Sequence, residues 1–249
     1  MPPIDTAATA AEIERSIRAV GTPERAIGEK AYLKSDLEHC GATLSEIRRI
    51  ARAVASAHPD LTHDELIDLV GVLWSQQLHD CRMAAIMLLE FRPRLLGRED
   101  LDTVETMIRG SRTWAYVDAL AGNTAGGLVV RYPDAAARLD AWAVDPNFWV
   151  RRSALLALMH PLKRGAPFDR FAGYADSMLA EKEFFIRKAI GWVLRETSKR
   201  RPDEVYAWLL PRAPRASGVT LREAVKYLSP AQRAQVLDAS GRQLAVRRR

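Results

Sequence analysis

Apolar residues recur at three- and four-residue intervals along nearly the whole chain, as in Leu66, Leu69, Val70, Leu73 and Trp74, and again in Ala84, Leu88 and Phe91. That spacing gives each helix one apolar stripe. The two-residue alternation of a half-buried strand is nearly absent. Turn chemistry divides the pattern at His58-Pro59-Asp60, Gly97 to Asp100, Tyr132-Pro133-Asp134, Asp145-Pro146-Asn147, Arg164 to Pro167, Arg201-Pro202-Asp203 and Pro211 to Gly218. Asp60, Asp134 and Asp203 stand near positions where a side-chain oxygen can cap a helix. The pattern predicts an all-α chain of about a dozen helices.

A longer period lies over the helical one. Arg82, Asp118, Arg152, Lys188 and Arg222 are separated by 36, 34, 36 and 34 residues. Two positions after each come Ala84, Leu120, Ala154, Ile190 and Ala224, and one further Ala85, Ala121, Leu155, Gly191 and Val225. A polar residue followed by small or apolar ones, once per helical hairpin, is the pattern of an α-α superhelix of stacked HEAT-like repeats. In such a solenoid the inner helices line one concave face, and the polar row points to it. Four of the five row residues are basic, and Asp118 is the acid among them. A carboxylate among cations is either a structural ion-pair partner or a chemical feature of a groove built for polyanions.

With 249 residues, 48% hydrophobic and 27% charged, the chain has material for a proper core and is not intrinsically disordered. The formal net charge of +6 conceals an asymmetry: Lys199 to Arg249 holds 12 basic and 4 acidic residues. An acidic partner fits that end. Cys40 and Cys81 cannot build a disulfide framework and read as core thiols in a reducing compartment. The longest strongly apolar run, Met83 to Leu89, is too short to span a membrane, and the first residues lack a secretion signal. The expected location is the cytoplasm.

Three tryptophans share helical faces with the row: Trp114 four residues before Asp118, Trp149 three before Arg152 and Trp192 four after Lys188. Such rings either pack a core or stand beside the groove to stack on bases and attract cations. Elsewhere, His58 and His63 near Asp60, Asp64 and Glu65 lack a zinc spacing, and His39, His79 and His160 have no evident partners in sequence. Gly122, Gly126 and Gly127 fall in a helical stretch and do not form a phosphate loop. The residues call for no metal or other cofactor.

Glu183-Phe184-Phe185-Ile186-Arg187-Lys188-Ala189-Ile190-Gly191-Trp192-Val193-Leu194-Arg195-Glu196 resembles the signature block of the AlkD-like DNA alkylation repair glycosylases. Arg222-Glu223-Ala224 with Lys226 is similar to the distal block of that family. Asn147-Phe148-Trp149-Val150-Arg151-Arg152 is similar to another, and Trp114 to Asp118 with Ala121-Gly122-Asn123 to a fourth. Tyr32-Leu33-Lys34, Gly41 and Arg48 resemble a weaker N-terminal block. The resemblance runs in order over about residues 25 to 230. Where family members often carry two adjacent tryptophans and an acid, this chain has Thr113-Trp114-Ala115-Tyr116-Val117-Asp118, keeping the second tryptophan and the last acid.

The resemblance implies a HEAT-like superhelix holding duplex DNA in its concave basic face. It further implies excision of cationic alkylated purines, of the 3-methyladenine and 7-methylguanine type, without a closed pocket for a flipped base. It assigns the chemistry to Asp118, Trp114 and Trp192, and a phosphate contact to Arg152. The wider set of phosphate-binding candidates is Arg187, Lys188, Arg195, Arg222 and Lys226, each of which is otherwise a solvated helix position. The expected partner is duplex DNA containing alkylated bases, met by a monomer with no membrane contact. A noncatalytic DNA-structure binder and a protein-binding HEAT scaffold are the alternatives on the same fold. The expected organisation is an N-terminal segment with the first helix over 1–24, the repeat domain over 25–235 and a basic tail over 236–249, ending in Arg247-Arg248-Arg249.

Overall fold

A computed structural model describes residues 4–242; the terminal arginines Arg247-Arg248-Arg249 lie outside the described residues. Among those residues there are helices and turns, with one isolated bridge between Glu38 and Leu78 and no strand. The chain divides into two compact units, residues 1–124 and 125–249. The expected boundaries at 24/25 and 235/236 each fall inside a helix.

The first unit contains α1 (Thr6–Val20), α2 (Pro23–Leu33), α3 (Leu44–Ala57), α4 (His63–Ser75), α5 (His79–Phe91), α6 (Asp100–Arg109) and α7 (Trp114–Ala119). Its starts are set by side chains that satisfy orphan amide groups. Asp5 caps α1, and Thr43 with Glu46 and Thr62 with Glu65 form reciprocal capping boxes on α3 and α4. Asp60, expected near a cap, gives way to Thr62 because Glu65 lies three residues further on and completes the box. The apolar run Met83 to Leu89 becomes the middle of α5, with every residue no more than 6% exposed. A helix apolar all round must be covered all round. Helices α1, α3, α4 and α7 pack against it.

The second unit contains α8 (Gly126–Arg131), α9 (Ala136–Ala143), α10 (Phe148–Ala157), α11 (Met159–Lys163), α12 (Asp169–Met178), α13 (Phe184–Ser198), α14 (Pro202–Leu209), α15 (Gly218–Ala224) and α16 (Pro230–Ala239). Asn147, Glu183 and Ser217 cap α10, α13 and α15, the helices that carry the polar row. Helix α13 packs on both α10 and α15.

The long register is visible in burial. Ala84, Leu120, Ala154, Ile190 and Ala224, two positions after the row residues, are all fully buried. So are Ala85, Ala121 and Leu155, and Val225 is 1% exposed. Gly191 completes this second line for a steric reason. A Cβ there would stand 2.9 Å from the Thr220 carbonyl oxygen and 2.9 Å from the Glu223 Cβ, so α13 meets α15 closer than alanine allows. Gly191→Ala is expected to lower stability by about 1–3 kcal/mol through overpacking, despite its better helix propensity. Urea unfolding monitored by circular dichroism measures this, and a variant as stable as wild type would contradict the close approach.

Candidate functional site

In the first unit, Thr113 sets the geometry. Its side-chain oxygen accepts the Ala115 amide at 3.4 Å, making Trp114 the first residue of α7 and placing Asp118 one turn later on the same face. Both are half-buried, while Tyr116 and Val117 between them point into the core at 2% and 0% exposure. The backbone then widens into a π-helical segment, Leu120–Ala125, a rare form that recurs at functional sites.

Trp114 does not sit in the core. Its ring meets Tyr32 of α2 edge to face, with centroids 5.9 Å apart and planes at 89°. Tyr32 is 71% exposed. The two rings wall a cleft of about 490 Å³ whose lining also includes Glu29, Leu44, His79 and Met83. A smaller cleft of about 280 Å³, lined by Asp36, Arg82, Arg112, Thr113 and Tyr116, lies behind the start of α7. Arg82, the first residue of the row, is fixed there. Its Nε donates to the Gln76 carbonyl at 2.9 Å, and its guanidinium carbon lies 5.3 Å from the Trp74 ring centroid.

Under the larger cleft is a buried polar group that sequence spacing does not reveal. The imidazoles of His39 and His79 stack with centroids 4.3 Å apart. Glu29 Oε2 lies 3.2 Å from His39 Nδ1, and the Tyr116 hydroxyl lies 2.6 Å from His79 Nδ1. Burial, reinforced by His39, pushes the His79 imidazole below its ordinary value. Burial works to raise the Glu29 carboxyl, but the His39 hydrogen bond and neighbouring positive charge together hold it below the usual carboxylate range. Glu29, His39 and His79 come from three separate segments, and the one nearby signal is Asp80. This buried carboxylate accepts the Cys40 and Ala42 amides at 3.0 and 3.1 Å, tying residues 38–43 to the start of α5.

In the second unit, the row continues through Arg152, Lys188 and Arg222 on α10, α13 and α15. Their exposure differs sharply. Arg152 is 1% exposed, donates to the Phe185 carbonyl and lies 5.7 Å from the Phe185 ring. Lys188 and Arg222 are exposed, and neither is held by a carboxylate among the described residues. Lys188 rests over the Phe184 ring at 5.8 Å. Arg187 donates to the Glu181 carbonyl at 2.6 Å. Arg195 and Lys226 share the Glu223 carboxylate, the latter at 2.8 Å. Trp192 is half-buried on α13. Trp149 packs against Phe148 and Phe185 at 4.4 and 4.8 Å, which gives it an aromatic cluster of its own.

The structure therefore brings Trp114 and Asp118 onto one face of α7, with Trp114 at the wall of an open aromatic cleft. Tyr32 and Arg82 belong to the same neighbourhood. Tyr32 stood in the weakest matching block, and Arg82 in the repeat row, but neither carried a site assignment from sequence.

A family model described as DNA alkylation repair enzyme matches residues 13–228. The fold is similar to that of a predicted DNA alkylation repair enzyme from Enterococcus faecalis, with 23% identity and a TM-score of 0.77 over 84% of this chain and 97% of that one. It is also similar to AlkD2 from Streptococcus mutans, with 15% identity and a TM-score of 0.59 over 97% and 100% of the two chains. At these identities the likeness to the two structures is one of fold. No curated protein sequence matches. No helix among the described residues is long and apolar enough to cross a membrane.

Proposed function

Because the chain belongs to the DNA alkylation repair enzyme family, we propose that it is a monofunctional DNA N-glycosylase that excises cationic alkylated purines from duplex DNA. The observation carrying this reading is the pairing of Asp118 with Trp114 on one face of α7, where Trp114 and the exposed Tyr32 wall an open cleft.

An N3- or N7-alkylated purine already bears positive charge and leaves as a neutral base. Little acid assistance is needed. The barrier lies in the sugar, which becomes oxocarbenium-like as the bond breaks. A carboxylate beside that sugar stabilises the developing charge and orients the attacking water. Asp118 takes this role. Trp114 and Trp192 present π faces that favour a cationic nucleotide over a neutral one. Lys188 and Arg222 supply phosphate contacts, joined by Arg187, Arg195 and Lys226 as they exchange internal partners for the backbone. Arg152, buried under Phe185, serves by holding α10 against the start of α13 and by contributing positive potential. Arg82 is added to the DNA-contacting set because its guanidinium is already oriented in a cleft beside α7.

The test is incubation of the full chain with chemically methylated duplex DNA, with released bases separated and quantified. Release of 3-methyladenine or 7-methylguanine is expected. Tight duplex binding without release would favour the noncatalytic DNA-structure binder, and no duplex affinity would favour a protein-binding scaffold. Trp114→Leu keeps apolar bulk but loses the ring, and is expected to slow release by about 2- to 30-fold, the range of one cation–π contact. An unchanged rate would remove Trp114 from the site.

A further inference from the structure

We propose that Glu29, His39 and His79 form a binding site for one divalent transition-metal ion of the zinc class, on the floor of the cleft walled by Trp114 and Tyr32. One ligand atom from each residue lies within 4.8 Å of the others. Two imidazoles and a carboxylate suit zinc and its first-row neighbours. Calcium and magnesium prefer all-oxygen sites.

Three features mark this cluster as built to hold something. First, His39 is an incomplete polar group in a dry place. Its side chain is 1% exposed, Nδ1 faces Glu29, and Nε2 is buried with no hydrogen-bond partner among the described residues. A buried ring nitrogen without a partner is costly, and a metal ion is one group that uses its lone pair. Second, His79 is supported in the way a ligating histidine usually is. The Tyr116 hydroxyl engages Nδ1 at 2.6 Å and fixes the ring, while Trp74 packs on Tyr116 from behind at 5.3 Å. Third, the loop carrying His39 is fixed before any ion arrives. Asp80 accepts two of its amides, and Gly41, at φ +80°, makes the turn between them. A Cβ at Gly41 would stand 2.2 Å from the Thr22 carbonyl oxygen, so the turn excludes other residues.

His79 and Glu29 both line the cleft, so three protein ligands would leave a further coordination position facing open volume. The two imidazole planes are within 11° of parallel. One ion cannot lie in both planes, and Tyr116 holds the His79 ring, so loading turns the His39 ring out of the stack, gives up its hydrogen bond to Glu29, and brings Nε2 and the freed carboxylate to the ion. The inference stands apart from the glycosylase reading, because metal binding is measured without DNA.

The experiment uses the full chain, stripped with a chelator, desalted and titrated calorimetrically with Zn²⁺ alone. Cobalt(II) is substituted in parallel to record the visible spectrum of a four-coordinate site. One bound equivalent is expected, with a rise in melting temperature that follows free zinc. Glu29→Gln and His39→Gln are each expected to weaken binding by at least about 10-fold. His63→Gln removes a half-buried histidine paired with Asp64 and Asp100, and is expected to bind as wild type does. Absence of stoichiometric binding overturns the proposal. So does affinity unchanged in Glu29→Gln, or lost equally in His63→Gln. If His39→Gln fails to fold, Glu29→Gln decides alone, since its side chain reaches the surface and its replacement is isosteric.

Discussion

Asp118→Asn is expected to reduce release of methylated purines from duplex DNA by about 10²- to 10³-fold, equivalent to about 2.7–4 kcal/mol of transition-state stabilisation. The substitution keeps the size and planarity of the side chain, so α7 and its Thr113 cap have no steric reason to change. It removes the negative charge, and with it the attraction for a sugar whose positive charge exists only as the bond breaks. Ground-state duplex binding contains no such charge and is expected to change by less than about 2-fold. Single-turnover excision with enzyme in excess separates the two effects. Equal loss of binding and excision would make Asp118 an electrostatic anchor for the fold or the groove. Retained excision would remove it from the mechanism.

Duplex affinity is expected to fall by about 10³-fold between 50 and 200 mM salt, the behaviour of a protein that neutralises about six phosphates. The candidate cations are not equivalent in this respect. Lys188 and Arg222 are exposed and not held by carboxylates among the described residues, so each is expected to release close to one counterion on binding. Replacing both with glutamine is expected to reduce the slope of log K against log salt by about 2. Arg195 and Lys226 share Glu223, and a phosphate must compete with that carboxylate. Arg195→Gln is therefore expected to change the slope by less than one, and Glu223→Gln to strengthen binding. Affinity independent of salt would contradict the basic-face reading for the whole set.

The matching family blocks and the repeat register were both legible in sequence, and they are linked physically. The row residue of each hairpin is followed at two and three positions by residues that must be buried, which is why Ala84, Leu120, Ala154, Ile190 and Ala224 kept their spacing. Gly191 had an equally local signature, a glycine within a helix whose neighbours otherwise favour helix, and close approach to α15 accounts for it. Each turn signal falls at a helix boundary, but the breaks at 21–22, 34–43, 76–78 and 110–113 carried none of them, and the expected caps moved. Asp134 and Asp203 lie inside their helical segments, and α4 starts from Thr62 instead of Asp60, since hydrogen-bond reciprocity with Glu65 outweighs the identity of one residue.

Exposure within the row was not legible. Arg152 and Lys188 occupy the same register, yet one is sealed beneath Phe185 and the other stands in solvent. Spacing reports which face of its own helix a residue occupies. It does not report what the next helix lays across that face. The tryptophans divide for the same reason: Trp149 is held in a cluster with Phe148 and Phe185, while Trp114 meets Tyr32 at the wall of an open cleft.

By itself, the sequence determined an all-α chain, its hairpin period, the buried register and the pairing of Trp114 with Asp118, because each depends on the geometry of a single helix or its regular repetition. Tertiary structure alone decided which row cations remain exposed, that Tyr32 joins Trp114, and that Glu29, His39 and His79 meet under them. Those outcomes depend on contacts between segments remote in sequence, and no spacing rule within one helix encodes the neighbour that will cover it.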